Sequence, residues 1–131
     1  MFDFIKKMFG TKTDREVKAY MPIVNEINQH FESYSTLSND ELRNKTTDFR
    51  QRIANHLSGI DTDIKTLSDS AKATSNIREK ESFFDQIDKL KKDRDKHLED
   101  ILRQILPEAF AVVKETANRL TQHDELEVTA T

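Results

Sequence analysis

The chain has 131 residues, 35% of them apolar and 34% charged, with a net charge of −3 and no cysteine. That length supports one domain with a thin core, and the lack of cysteine excludes disulfides, thiolate nucleophiles and zinc-thiolate sites. Two glycines and two prolines are too few for the turns of a many-stranded fold, while eight phenylalanines at so small a net charge argue against full disorder.

Helices are therefore the expectation. No apolar run approaches the ~20 residues that span a bilayer, and Met1 to Gly10 lacks the long apolar stretch of a secretory signal. The chain is expected to be cytoplasmic, touching a membrane from one side at most. The charge balance argues against a nucleic-acid partner: between Asn76 and Gln104, cations such as Lys89, Lys92 and Arg103 are matched by carboxylates such as Asp85, Glu99 and Asp100.

In chain order, Met1 to Gly10 forms a short amphipathic unit. On a helix, Met1, Phe2, Phe4, Ile5, Met8 and Phe9 share one arc, and Asp3, Lys6 and Lys7 the other. A second helix is predicted from Thr13, where Thr13 and Glu16 have capping-box spacing. Its apolar face runs Val17, Tyr20, Met21, Val24, Ile27 and Phe31, with Pro22 expected to kink it. Ser38 and Glu41 form a second capping box and start a third helix, with a stripe of Leu42, Phe49, Ile53 and Leu57 and an end at Ser58 and Gly59.

Helical spacing resumes through Ile60, Ile64, Leu67 and Ala71 and breaks between Ala73 and Asn76. A long helix is predicted from Asn76 to about Leu106, with Phe83, Phe84, Ile87, Leu90, Leu98, Ile101 and Ile105 on one side and Lys91 and Arg94 where the apolar seam should pass. Pro107 either kinks this helix or opens a last one that buries Phe110, Val113, Ala117 and Leu120. The tail Leu126 to Thr131 alternates like the start of a strand with nothing to pair with, so the polypeptide is expected to continue. The fold class expected is all-α: an elongated helical bundle or hairpin of about five helices with a short strand-like C-terminal tail.

The chain carries no catalytic constellation. A phosphate-cradling loop needs glycines close together, and Gly10 and Gly59 are far apart. His30, His56, His97 and His123 lack the helical spacings of metal sites and read as surface or groove-lining side chains. Asp61 and Asp63 suggest a calcium loop, but Thr66 and Lys72 stand where its glycine and its bidentate glutamate belong. Carboxylates such as Asp93, Asp95, Glu99 and Asp100 lie among Lys and Arg, as on a solvated face.

One functional signal remains. Met1 to Gly10 is too short to be a stable helix alone and needs a surface to fold on. Burying each large apolar group releases on the order of 1.5 to 3 kcal/mol before ordering costs, and each lysine near an anionic leaflet adds about 1 kcal/mol. The alternative is that this unit packs back onto the chain's own core; composition leaves the two level.

Three ordered blocks carry a resemblance. Phe9-Gly10-Thr11-Lys12 with Asp14-Arg15, then Leu37-Ser38-Asn39-Asp40-Glu41-Leu42-Arg43 with Lys45-Thr46, Phe49-Arg50 and Arg52, and finally Leu106-Pro107-Glu108-Ala109-Phe110-Ala111-Val112-Val113-Lys114-Glu115 resemble the N-terminus of the SecA family, the bacterial preprotein translocase ATPases. The resemblance implies a parent motor that hydrolyses ATP, with Mg, to drive preproteins through the SecYEG channel, peripheral at the cytoplasmic face of the plasma membrane. It also implies that Phe2, Phe4, Ile5, Lys6, Lys7, Met8 and Phe9 contact anionic phospholipid and the translocon. The family's nucleotide motifs come after the third block, so no catalytic, cofactor or metal residue is carried over to this chain.

On this reading residues 1–10 are the amphipathic segment, 11–57 a helical N-terminal region, 58–105 a helical insertion, and 106–131 the helix leading into the nucleotide-binding domain. The alternative is a self-contained helical adaptor that self-associates as a coiled coil, for which Lys91 and Arg94 make a poor seam.

Overall fold

In the computed structural model, residues 12–122 are described, and they form three α-helices: α1 over Lys12–Tyr34, α2 over Asn39–Ala73 and α3 over Ile77–Thr121. The all-α class holds, with three helices where about five were expected. The amphipathic segment 1–10 and the strand-like tail lie outside the described residues.

Local chemistry accounts for the helix starts. Ser38 caps α2 with both halves of its box made: its backbone N–H donates to Glu41 Oε2 at 2.7 Å, and Glu41 N–H donates to Ser38 Oγ at 3.2 Å. Asn76 caps α3, its Oδ1 accepting from the Arg78 N–H at 3.0 Å, and the Thr74 hydroxyl donates to Glu79 Oε2 at 2.8 Å. At the other expected start, α1 is already helical at Lys12, and Glu16 pairs with Lys12 Nζ at 3.7 Å.

The expected stop at Ser58 and Gly59 is not used. Leu57 is buried, and Ile60, Ile64 and Leu67 continue the same face at steps of three and four to buried Ala71. Along another face, Ser58, Thr62, Thr66 and Ser70 donate their hydroxyls to carbonyls three or four residues back. These polar side chains thus bond to their own helix instead of ending it. Gly59 has open space where a Cβ would stand, so its glycine costs about 1 kcal/mol relative to alanine, less than the burial of the stripe returns.

Both prolines lie inside helices, Pro22 in α1 and Pro107 in α3, so Pro107 does not open a separate element. Each removes one backbone donor. Pro107 is buried.

The chain divides into two units, one of residues 1–42 with 107–131 and one of residues 43–106. In the first, buried Tyr34, Leu42 and Ala111 form the core, with Ile27, Phe31, Leu37 and Val112 packed against it. Ala111 is 0% exposed, as a small residue is where backbones approach closely. In the second, α2 and α3 run antiparallel, with Asp61 bonded to Arg94 and the His56 and His97 rings in tilted contact, and Leu57, Ala71, Ile87, Ile101 and Ile105 are buried.

Two expectations about α3 are corrected. Lys91 lies outside the seam, exposed and paired with Asp88 at 4.0 Å, whereas Arg94 does occupy it. Phe110, Val113, Ala117 and Leu120, expected to be buried, are exposed; Ala111 and Glu115 face inward instead.

Candidate functional site: the junction that holds the first helix

Among the described residues, the densest polar constellation lies in the first unit. Glu115 is 3% exposed, a position that a carboxylate occupies only when paired. Its partner stands one turn later on α3: Arg119 Nε donates to Glu115 Oε1 at 2.7 Å. The same guanidinium donates from Nη2 to the Tyr34 carbonyl at 3.0 Å and to the Leu37 carbonyl at 2.7 Å, and from Nη1 to Asn39 Oδ1 at 2.8 Å.

Arg119 thereby closes the C-terminal end of α1. The last carbonyls of a helix have no intrahelical donor, and a cation there also suits the negative end of the helix dipole. No basic residue stands in the last turn of α1 itself, so α3 supplies the charge. The planar fork of arginine suits the task, since it reaches two carbonyls, an amide and a carboxylate from one rigid group.

Two further contacts tie α1 to α3. Lys114 Nζ donates to Asn28 Oδ1 at 2.7 Å and sits 4.2 Å from the ring centroid of Phe31. The Tyr34 hydroxyl donates to Glu108 Oε2 at 3.4 Å, a long and weak bond. No buried side-chain nitrogen or oxygen among the described residues lacks a partner.

Such an arrangement fixes and orients the helix it closes. The expected contact residues Phe2, Phe4, Ile5, Lys6, Lys7, Met8 and Phe9 lie outside the described residues. What the junction fixes is the helix that follows them in the chain.

The other residues weighed for chemistry are scattered. His30 lies in tilted ring contact with Tyr34, centroids 5.9 Å apart, and His56 with His97 at 5.6 Å. Asp61 lies inside a helix, bonded to Arg94, whose protonated form that bond strengthens further. Asp93 accepts from Lys96 at 3.1 Å. Among the described residues no three His, Asp or Glu side chains are placed to hold a metal ion, and no helix is long and apolar enough to cross a membrane.

The Arg119 clamp joins residues 82 and 85 positions apart, which sequence spacing does not link. Its signal was a Glu115 to Arg119 pair at i, i+4 on the face of α3 that also carries Ala111. The face through Phe110 and Val113 is the more strongly apolar one in the sequence and masks it.

Comparison with known proteins gives one consistent result. The SecA DEAD-like domain family matches residues 5–130. The chain is similar to the protein translocase subunit SecA of Chloroherpeton thalassium, with 45% identity over 92% of the chain. It is 43% identical to that of Cytophaga hutchinsonii and 38% identical to that of Amoebophilus asiaticus, each over 100% of the chain. These alignments include residues 58–105. The chain spans 12% of the length of each of these relatives. No solved structure matches.

Proposed function

The chain belongs to the SecA family, and we propose that it is the opening part of a longer protein translocase subunit, supplying attachment while ATP chemistry resides elsewhere in the polypeptide. The observation that carries this reading is a family match over residues 5–130 in a chain that covers only 12% of its relatives' length. For the longer protein, the reading entails ATP and Mg as cofactors and preproteins as substrate. Its other partners are the SecYEG channel and anionic phospholipid, met at the cytoplasmic face of the plasma membrane.

Among the described residues none forms the glycine-rich turn that cradles a triphosphate. A triphosphate needs several free backbone donors at a glycine-rich turn or helix start. Gly59 sits in the middle of α2, where its neighbours' backbone groups are spent on the helix. The attachment role falls on Phe2, Phe4, Ile5, Lys6, Lys7, Met8 and Phe9, whose chemistry suits an anionic, apolar interface. The clamp at the other end of α1 supports that role, because a helix held at Tyr34 and Leu37 transmits load from whatever its N-terminal end grips.

Two measurements test the reading. The longer polypeptide is expected to hydrolyse ATP, and residues 1–131 alone are expected to give no calorimetric signal with Mg-ATP. Tight nucleotide binding by the 131-residue chain would overturn the assignment of ATP contacts to the remainder.

A further inference from the structure

We infer that His56 and His97 form a two-histidine site for a divalent transition-metal ion, of the class of Zn²⁺, Ni²⁺ or Cu²⁺, which bridges α2 and α3 within the second unit. The antiparallel helices bring the two ring centroids to 5.6 Å at an interplanar angle of 60°. Both side chains are exposed, so an ion reaches them directly from water. Neither ring has a hydrogen bond or ion pair with another described residue, which leaves its nitrogens to the solvent.

The separation fits shared ligation. Imidazole nitrogens bind zinc at about 2.0–2.1 Å, which sets two ring centres roughly 5 Å apart around one tetrahedral ion. Rotation of two exposed side chains closes the remaining gap. The site also stands on rigid elements: about one turn further along the helix pair, Asp61 of α2 is bonded to Arg94 of α3, and this link fixes the register in which His56 meets His97.

The surrounding charges allow a divalent ion. On α3, Asp93 and Asp100 lie one turn to either side of His97, and Asp93 accepts from Lys96 at 3.1 Å. On α2, Arg52 lies one turn before His56, 4.0 Å from Asp48. The cations within one turn of the pair, Arg52, Arg94 and Lys96, are thus each set against a carboxylate. Imidazole selects zinc, nickel and copper over magnesium and calcium, which take oxygen donors. Among the described residues no third His, Asp or Glu completes the set, so water fills the remaining positions and the ion is exchangeable. Bound there, it ties together two helices of a unit to which the translocase reading gives no role.

The test is titration of the 131-residue chain with Zn²⁺ by calorimetry, with far-UV circular dichroism to confirm that each variant is folded. One ion per chain is expected. Affinity should fall at least tenfold in His56→Gln and in His97→Gln, each of which leaves a single ligand, and should be unchanged when His30→Gln and His123→Gln are combined. Zinc should raise the melting temperature of the parent but of neither single variant, and this rise should vanish between about pH 7.5 and about pH 5, as imidazole takes up protons. Zinc binding that survives both single substitutions would overturn the inference. So would the absence of binding, which reduces the pair to a ring contact, or one ion per two chains, which makes it a bridge between copies.

Discussion

Arg119 is bonded to Glu115 at 2.7 Å, with side chains 18% and 4% exposed, so each is the other's main compensation for leaving water. The pair is a clamp because the same guanidinium also reaches the end of α1.

Removing the arginine alone leaves a buried carboxylate without its ion-pair partner and takes a donor from the Leu37 carbonyl and from the Tyr34 carbonyl, the latter keeping the Leu37 N–H at 3.1 Å. Arg119→Met is expected to lower stability by about 3 kcal/mol, measured by urea unfolding. Glu115→Leu combined with Arg119→Met should recover most of that loss, since replacing both partners of a buried pair is close to neutral. Arg119→Lys should fail to rescue, because a single ammonium cannot bridge both carbonyls, Asn39 and Glu115. A lysine variant as stable as the parent would remove the argument for the fork.

Ala111, at 0% exposure beside Tyr34 and Leu42, leaves no room for growth. Ala111→Leu is expected to destabilise by roughly 1 to 3 kcal/mol through overpacking. Val113→Leu, two residues later on the open side, should change the unfolding midpoint hardly at all.

Gly59 offers a test of the continuous α2. Alanine there meets nothing within 4 Å and is expected to stabilise by about 0.5 to 1 kcal/mol, as in any exposed helix interior. Were Gly59 instead a left-handed helix end, the same substitution would destabilise, and thermal unfolding distinguishes the two by sign.

The α2 cap gives a pH dependence. The Glu41 carboxyl is held below its ordinary range, first by the Ser38 backbone N–H and then by the Ser38 hydroxyl, against a smaller opposing effect of desolvation. Because the folded value is the lower one, the contribution is complete above the unfolded pKa of about 4.3 and is lost as pH falls through the folded value. Melting temperatures taken from neutral into acid pH should therefore drop less steeply in Glu41→Gln than in the parent. Equal slopes would show that the cap is not titrating.

For the proposed attachment, vesicles with anionic headgroups are expected to bind the protein. Lys6→Glu with Lys7→Glu should weaken that binding by about 2 kcal/mol or more at low salt, from the loss of two cations near the leaflet, and by less as salt rises. Binding indifferent to both charge reversal and salt would argue against attachment through this segment.

Much of the fold was legible because it is local. Glycine and proline scarcity set the class, and the capping box at Ser38 and Glu41 and the break before Ile77 came from groups within a few residues of one another. The stop at Ser58 and Gly59 was equally local and was overridden, since Leu57, Ile60, Ile64 and Leu67 all gain cover only if the helix continues. The clamp was illegible because Arg119 lies 85 positions from Tyr34, and no pattern along the chain links them.

The amino-acid order alone determined that this protein is helical and where two of its helices start. Only the tertiary structure decided which side of α3 turns inward. Periodicity reports that a side is apolar, and α3 has two such sides. The choice between them went to the one where Ala111 lets helices meet closely and Arg119 can finish α1, both of which depend on residues distant in the chain.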